Sequence, residues 1–144
     1  MIKIEAVIKP EKATAIGMAL MDAGVGGYFL SNVTGKGNEK GIEVTTGGTK
    51  KFRRASVPKT IITTVVDESQ KDMVISILLK NAKTGDGEIG DGKIFISNVE
   101  EVIRVRTNER GKEALYFHQI ELFKRRGETH LFFFVDYFFI KLIE

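Results

Sequence analysis

The order in which strand-like and helix-like periodicities follow one another constrains the fold of this 144-residue chain more than any other feature. Residues 2–9 alternate apolar and polar side chains, which is the period of a half-buried strand. Residues 11–23 place apolar side chains at helical spacing and are followed by Gly24, a typical helix terminator. The pattern then recurs. We predict further strands at 28–34, 59–66, 93–97 and 102–106, and a second helix that starts at Asp67-Glu68-Ser69 and buries Met73, Val74, Ile77 and Leu78.

This order, β-α-β-β-α-β with a short fifth strand appended, predicts an α+β fold of the ferredoxin-like type. In that arrangement both helices cover the same face of an antiparallel sheet. The other face needs a cover, and association of identical chains is the simplest one, so we expect a homo-oligomer. No internal repeat or domain boundary is visible before residue 112.

The segment between the second and third strands is long, polar and basic. Residues 35–57 show no clear periodicity, and loops of this length inside a compact domain are usually functional or mobile. Docking on an acidic protein surface is the functional interpretation, and a solvated loop is the alternative. Nucleic acid is less favoured because Phe52 is the only aromatic residue of the loop. Residues 36–59 carry a net charge of +5, from Lys36, Lys40, Lys50, Lys51, Arg53, Arg54 and Lys59 against Glu39 and Glu43.

Residues 88–107, EIGDGKIFISNVEEVIRVRT, form the candidate ligand site. A Gly-Asp-Gly-Lys turn at 90–93 leads into an apolar strand. Arg104 and Arg106 lie two residues apart on the predicted fifth strand, so their guanidinium groups should project from one face. Glycine amides, one lysine and two arginines suit a polyphosphate. A simple turn and a solvated strand face are the alternatives, but the stretch contains no nucleophile or general base, so it indicates binding and not catalysis.

Composition removes several classes of chemistry. The chain has no cysteine, which excludes disulfides and thiolate metal sites. Its two histidines, His118 and His130, leave the first 115 residues without histidine-based catalysis. Carboxylate, lysine or metal-assisted chemistry stays compatible with this composition. We expect a protein that is not an enzyme, because the candidate ligand site has no nucleophile or general base, and we expect no intrinsic metal site. Residues 1–5 already read as a strand, so no targeting signal is visible and a cytoplasmic location is expected.

The last part of the chain differs in character. Residues 116–144 hold seven of the ten phenylalanines, with LFFFVDYFFIKLI at 131–143. This run is too short for a bilayer span, which needs about 20 apolar residues. An additional packed element, a membrane-surface or partner-docking element, and a sequence accident beyond the natural domain end all remain open.

Over residues 1–115 the chain resembles the P-II nitrogen-regulatory signalling proteins. The last of the four matching stretches is the most specific. The stretches are IEAVIKPEK (4–12), VTGKGNEKG (33–41), PKTIITTVV (58–66) and EIGDGKIFISNVEEVIRVRTNERG (88–111).

The resemblance implies a homotrimer of ferredoxin-like subunits that binds ATP or ADP in clefts between subunits. Many such proteins also bind 2-oxoglutarate through Mg²⁺. A T-loop, here about residues 36–57, docks on a regulated protein such as an ammonium channel, a metabolic enzyme or a transcription regulator. The resemblance thus implies a sensor of energy and nitrogen status that a partner can recruit to a membrane.

By the same resemblance, three loops contact the nucleotide: the start of the T-loop, the B-loop and the C-loop. A further residue contacts the adenine base. Lys59 falls where the family pairs with a 2-oxoglutarate carboxylate, and the basic T-loop residues Lys40, Lys50, Lys51, Arg53 and Arg54 would dock on the partner. The implied nucleotide-binding residues are Gly35, Lys36, Gly37 and Asn38 (T-loop base), Gly90, Asp91, Gly92 and Lys93 (B-loop), Arg104 and Arg106 (C-loop, from the neighbouring subunit) and Val65 (base).

The chain departs from the family pattern at several positions. Glu39 stands where 2-oxoglutarate-binding members carry glutamine. A carboxylate can ligate Mg²⁺ but adds negative charge beside a dianion, which should weaken effector binding. The T-loop contains no tyrosine that could be nucleotidylylated. Its serine and threonine residues could be modified, but such residues are common in loops, and we favour that explanation. The B-loop is two residues longer than usual, and Phe29 replaces a small polar residue near the nucleotide.

Three alternatives accompany this interpretation. The first is a divergent P-II-like sensor that responds to a different small anion or to nucleotide alone. The second is an RNA-binding domain of the same topology, for which residues 93–97 offer only Phe95 as a stacking aromatic. The third is an acylphosphatase-like enzyme, which would need an arginine in the loop after the first strand, where residues 9–12 supply none.

Overall fold

The computed structural model describes residues 1–37, 43–46, 50–53 and 56–116, with the backbone alone for 43–46 and 50–53. Two α-helices and six strands are present in this part of the chain, together with short 3-10 turns at Pro10–Lys12, Glu68–Gln70 and Gly111–Ala114. The strands are β1 (Ile2–Ile8), β2 (Phe29–Gly35), β3 (Glu43–Thr46), β4 (Lys50–Arg53), β5 (Val57–Val66) and β6 (Gly92–Asn98), and the helices are α1 (Ala13–Asp22) and α2 (Lys71–Ala82).

Four of the strands form one antiparallel sheet in the order β2-β5-β1-β6. In the centre, β1 pairs with β5 from Ile2 opposite Val66 to Ile8 opposite Thr60. On its other side β1 pairs with β6, with Ile8 opposite Gly92. This arrangement confirms the predicted ferredoxin-like α+β fold.

The core lies between this sheet and the two helices. Strand β1 buries every second residue, so its isoleucines face the helices and its polar residues face away. Each fully buried isoleucine contributes about 2–3 kcal/mol relative to an exposed one. The alternation in the sequence therefore determines which face of the sheet carries the helices. The buried apolar residues are Ile2, Ile4, Ala6, Ile8, Ala13, Ile16, Leu20, Val25, Ile62, Val66, Val74 and Leu78.

The opposite face of the sheet carries large apolar side chains in the open. One row across the four strands consists of Phe29, Thr63, Glu5 and Phe95. Phe29 is 61% exposed and Phe95 is 54% exposed. We call this surface the open sheet face, and aromatic exposure of this extent is typical of a surface that associates.

The predicted start of the second helix is the start of the 3-10 turn at Glu68–Gln70, and helix α2 itself begins directly after it, at Lys71. The Asp67 carboxylate accepts a hydrogen bond of 3.0 Å from the Ser69 amide and so caps the 3-10 turn at Glu68–Gln70 that leads into the helix. Helix α1 ends as predicted before Gly24, which has a φ of 80°. Both boundaries follow from local chemistry.

Two predictions about the backbone were wrong. Residues 102–106 do not form a strand: a single bridge joins Ile103 to Arg110, and residues 105–107 form a turn. The segment predicted as a loop over 35–57 contains the hairpin of β3 and β4, in which Glu43 pairs with Arg53. Both errors concern short elements whose partners lie only a few residues away in the chain.

Several predictions fall on residues outside the described part. Asn38, Glu39, Lys40 and Arg54 lie there, as do the side chains of Lys50, Lys51 and Arg53 and the whole of 117–144. Among the described residues, no helix combines the length and apolar character that a bilayer crossing requires.

Candidate functional site

Lys59 brings strand β5 into contact with the loop that precedes β6. The residue is buried, and its ammonium donates a hydrogen bond of 2.6 Å to the carbonyl oxygen of Gly90. Gly35 ends strand β2 at the same end of the sheet, next to Val57 in β5. Two parts of the predicted site, the base of the T-loop and the glycine-rich loop, therefore lie close together.

A concave surface of about 720 Å³ opens beside Lys59. Its lining is mainly apolar and also offers one ammonium group together with hydroxyl and amide groups. The lining residues are Pro10, Asn32, Val33, Thr34, Pro58 and Lys59.

Two glycines near the start of β6 have specific backbone requirements. Gly90 lies in the B-loop, which is residues 83–91 in the structure, and Gly92 is the first residue of β6. Gly90 has a φ of 102° and Gly92 a φ of 124°, values that side-chain-bearing residues rarely adopt. A Cβ atom on Gly92 would also lie 1.8 Å from the carbonyl oxygen of Val7. Glycine at this position allows β6 to begin in close contact with β1, which places Lys93 directly after the loop.

Asp91 has a structural role inside the B-loop. Its Oδ2 atom accepts hydrogen bonds from the amides of Thr84, at 2.9 Å, and Glu88, at 2.8 Å. The Lys9 ammonium lies 3.1 Å from Oδ1. These donors, chiefly the two amides, hold the pKa of the Asp91 carboxyl well below its usual range, so the group is ionised. The carboxylate is directed at its own loop, whereas the sequence had assigned Asp91 to the nucleotide.

Lys93 and Val65 share the open sheet face. Lys93 pairs with Val7, and Val65 pairs with Lys3, four residues further along β1. Lys93 is exposed, and Val65 is half-buried. The lysine assigned to the phosphates and the apolar residue assigned to the base thus lie on the same surface.

Arg104 holds the end of the described chain. Its guanidinium donates to the carbonyl oxygens of Glu113 at 3.3 Å, of Ala114 at 3.1 Å, and of Tyr116. It also lies 3.3 Å from the Glu109 carboxylate. The side chain is only 19% exposed in this arrangement. Within the single chain, Arg104 thus binds the segment at residues 113–116. The prediction that Arg104 and Arg106 project from the same face of a strand was wrong, because Arg106 lies in a turn and is exposed.

A second contact fastens the same segment. The Lys112 ammonium lies 2.6 Å from a carboxylate oxygen of Asp67, at the end of β5. This ion pair and the amide of Ser69 lower the pKa of Asp67 to about 2. Residues 111–116 and Arg104 are therefore held beside the end of the sheet where Val66 pairs with Ile2.

Within one chain, the two halves of the predicted site lie at opposite ends of the sheet. The B-loop half adjoins Ile8, which pairs with Gly92, and the arginine half adjoins Ile2, which pairs with Val66. Six residues of extended strand separate these positions, roughly 20 Å at 3.3 Å per residue. One chain therefore does not bring Lys93 and Arg104 together.

Lys9 is the residue that the sequence analysis overlooked. It contacts the side chains of Thr84, Glu88 and Asp91 although it lies more than seventy positions away in the chain. No local motif signals such a contact. Only a predicted antiparallel pairing of the first and last strands would have placed Lys9 beside the B-loop.

Comparison with known proteins shows which family this chain resembles. The family model described as "Nitrogen regulatory protein P-II" matches residues 1–109. Nitrogen regulatory protein P-II 2 of Methanothermobacter thermautotrophicus is 44% identical over 113 residues, which cover 78% of this chain and 96% of that protein. Nitrogen regulatory protein P-II of Nostoc punctiforme is 44% identical over 118 residues, covering 78% and 98%.

A solved structure agrees. The crystal structure of Arabidopsis thaliana P-II bound to citrate superimposes with a TM-score of 0.63 at 35% sequence identity, covering 81% of this chain and 90% of that one. The family match spans both halves of the candidate site. The chain therefore belongs to the nitrogen regulatory protein P-II family of signal transduction proteins.

Proposed function

We propose that this protein is a trimeric, ATP- and ADP-binding signal transduction protein that senses energy and nitrogen status and regulates a partner protein through its basic T-loop. The observation that carries the proposal is the separation of the two donor sets at opposite ends of the sheet. A cyclic arrangement of identical chains can place the B-loop of one subunit against the arginines of the next. The exposed aromatic row of the open sheet face supports this association.

The B-loop half suits the phosphates of a nucleotide. Positive φ values at Gly90 and Gly92 allow the backbone to approach an anion closely, and Lys93 follows on the open sheet face. The neighbouring subunit would add Arg106, with Arg104 joining it if its internal contacts are exchanged for phosphate oxygens. Val65 offers an apolar contact for the base. This chain would thereby hold and orient the nucleotide with backbone amides and cations.

Two features of this chain oppose binding of the second effector, 2-oxoglutarate. Lys59 stands at the family position for a 2-oxoglutarate carboxylate, but its ammonium also donates to the carbonyl oxygen of Gly90. Glu39, at the position that would help to hold Mg²⁺ and the effector, adds a negative charge beside a dianion. A hard cation could still take Glu39 as a ligand, which would keep Mg²⁺ compatible with the site.

A specific observation favours an alternative function. A relative, the P-II protein of Arabidopsis thaliana, has been crystallised with citrate. Together with Glu39 and the concave surface beside Lys59, this supports a divergent sensor that responds to another small anion, or to nucleotide alone, in place of 2-oxoglutarate. Such a sensor would use the same nucleotide cleft.

The partner would be a protein with an acidic docking surface. The net charge of +5 in residues 36–59 favours attraction to such a surface. An ammonium channel, a metabolic enzyme and a transcription regulator are the family's classes of target. We propose a cytoplasmic location, with recruitment to a membrane when the target is a channel.

Isothermal titration of the full chain with ATP and with ADP tests the nucleotide part. We expect binding of both, and a loss of roughly tenfold or more in affinity for Lys93→Ala, because a charge-assisted contact to phosphate is removed. Lys80→Ala is the matched control, since Lys80 is an exposed lysine of helix α2. Equal affinity of wild type and Lys93→Ala, or no heat with either nucleotide, would contradict the proposal.

A further titration separates the two versions of the sensor. In this titration Mg²⁺ and saturating ATP are present. Binding of 2-oxoglutarate would support sensing of nitrogen status through this effector. No binding of 2-oxoglutarate but binding of citrate supports the alternative. Restoration of 2-oxoglutarate binding by Glu39→Gln would identify the carboxylate at position 39 as the cause.

A further inference from the structure

Lys9 directly follows strand β1, and its side chain reaches into the B-loop. Its ammonium donates to the Thr84 hydroxyl at 3.0 Å and to the Glu88 carboxylate at 3.0 Å, and it lies 3.1 Å from Oδ1 of Asp91. The side chain is only 16% exposed. A lysine has three donor hydrogens, and these three oxygens surround its ammonium.

The contacts of Lys9 add two hydrogen bonds and an ion pair to the internal bonding of the loop. Asp91 accepts the amides of Thr84 and Glu88 on its other carboxylate oxygen. Two further amides bond within the loop, from Gly87 to the carbonyl of Thr84 at 2.8 Å and from Asp91 to the carbonyl of Glu88 at 3.1 Å. Lys9 therefore attaches a loop of two consecutive turns to the rigid centre of the sheet.

The positive charge of Lys9 also acts on the carboxylates of the B-loop. The loop carries the carboxylates of Asp86, Glu88 and Asp91 directly before Lys93. Such carboxylates would repel a phosphate group bound nearby. Lys9 lies within ion-pair distance of both Glu88 and Asp91, so its single positive charge reduces their combined charge by one, without occupying the surface where Lys93 projects.

We propose that Lys9 is a positioning residue for nucleotide binding: it holds the B-loop through Thr84 and Asp91 and partly offsets the negative charge of the loop beside the phosphate site. This inference rests on the proposed nucleotide-binding function. It assigns Lys9 no direct contact with the ligand. It also explains why Asp91, an anion, is compatible with a polyanion site.

Titration of the full-length Lys9→Met variant with ATP and ADP tests the inference. Methionine keeps most of the side-chain length and removes the charge. We expect at least a fivefold loss of affinity, on the order expected when a charged hydrogen-bond partner is removed. Hydrogen exchange of the Thr84 and Glu88 amides should become faster in the free protein. Lys80→Met is the matched control, because Lys80 is an exposed lysine of helix α2.

A double variant distinguishes positioning from a general loss of stability. If Lys9 acts through the Asp91 charge, the further loss caused by Lys9→Met should be at least halved when Asp91→Asn is already present. Lys9→Arg retains the charge if Lys9→Met does not fold, and we expect it to bind nucleotide more tightly than Lys9→Met does. Arginine binding as weakly as methionine, or an undiminished Lys9→Met effect in the double variant, would overturn the inference.

Titration of the wild-type protein separates failure of nucleotide binding from failure of the Lys9 role. Wild-type protein that binds neither nucleotide would overturn the proposed function and this inference with it, before any variant is compared. Wild-type protein that binds ATP while Lys9→Met binds equally well, with unchanged exchange at Thr84 and Glu88, would overturn the inference alone.

Discussion

The Lys112 ammonium lies 2.6 Å from a carboxylate oxygen of Asp67, and the two side chains are 71% and 6% exposed. A surface lysine thus supplies the counter-charge for a carboxylate that is almost inaccessible to water. Asp67 also caps the start of the α2 region through the Ser69 amide. The contact links the 3-10 turn at Gly111–Ala114 to the junction between β5 and α2.

Removal of the lysine should loosen the segment that Arg104 clamps. In Lys112→Ala we expect the melting temperature to fall by about 4 °C, because a nearly buried carboxylate loses its partner. Amide exchange should become faster at Leu115, which bonds to the carbonyl of Lys112, and at Gly111, which bonds to Val102. Lys80→Ala, an exposed helix lysine, should leave both measurements unchanged. Unaltered exchange at Leu115 in Lys112→Ala would contradict this role.

Asp67 predicts a defined dependence of stability on pH. Its pKa is lowered from 3.8 to about 2 in the folded protein. The unfolded state therefore binds the proton more readily, and this contribution is present above about pH 4 and is lost as the pH falls towards 2. The pKa of Lys112 is raised above 10.5, so its side of the pair is complete below that pH and is lost at higher pH.

The corresponding test compares urea unfolding of wild type and Asp67→Asn. Wild type should be the more stable at pH 7, and the difference in unfolding midpoint should shrink between about pH 4 and pH 2. A difference that stays constant across that interval would show that the charge of Asp67 does not contribute.

Gly92→Ala tests the close approach of β6 to β1. The substitution meets a φ of 124° and would place Cβ 1.8 Å from the Val7 carbonyl oxygen, so the strand must shift. We expect a destabilisation of about 3 kcal/mol in urea unfolding. Gly27→Ala is the control, since a Cβ there meets nothing within 4 Å. Similar stabilities for the two variants would show that β6 can start elsewhere at little cost.

Phe95→Lys tests whether the open sheet face is the subunit interface. A charge in the middle of an associated face would be desolvated without a partner, so we expect the proposed trimer to dissociate in sedimentation velocity. Leu79→Lys is the matched control, because Leu79 is a comparably exposed apolar residue, at 58%, but lies on helix α2. Dissociation by Leu79→Lys and not by Phe95→Lys would place the interface on the helices.

Much of the fold could be predicted from sequence because its signals are local. The alternation in residues 2–9 matches β1, and the helix signals at Asp67 and Gly24 match the observed boundaries. Strand β5 was predicted two residues short, since Val57 and Pro58 continue the pairing with Gly35 and Thr34 of β2. Strand ends depend on a partner, which a local pattern does not contain.

The wrong backbone predictions have the same origin. Val102 to Arg106 alternate like a strand, but the Arg104 amide bonds to the carbonyl of Glu109 across a turn in which Asn108 has a φ of 58°. The Asn-Glu-Arg-Gly sequence at 108–111 was the available turn signal. The hairpin of β3 and β4 lacks apolar alternation, so its polar sequence resembled a loop.

Residue types in the candidate site were easier to predict than their roles. The glycines and Lys93 stand where the pattern indicated, but Asp91 bonds to its own loop and Arg104 to carbonyl groups near residue 116. These roles depend on contacts between distant parts of the chain, as the Lys9 contacts with Thr84 and Asp91 also do. Periodicity carries no information about such pairs.

The central claim is that each nucleotide site combines the B-loop of one subunit with the arginines of the next, and mixed trimers test it most directly. Lys93→Ala and Arg106→Ala chains should each bind ATP weakly alone. When they are unfolded together and refolded in equal amounts, about a quarter of the subunit junctions should combine an intact Lys93 with an intact Arg106. We predict that calorimetry then recovers about that fraction of wild-type sites. If each chain carried a complete site, no mixed trimer could contain one, and the absence of any recovered high-affinity binding would contradict the account.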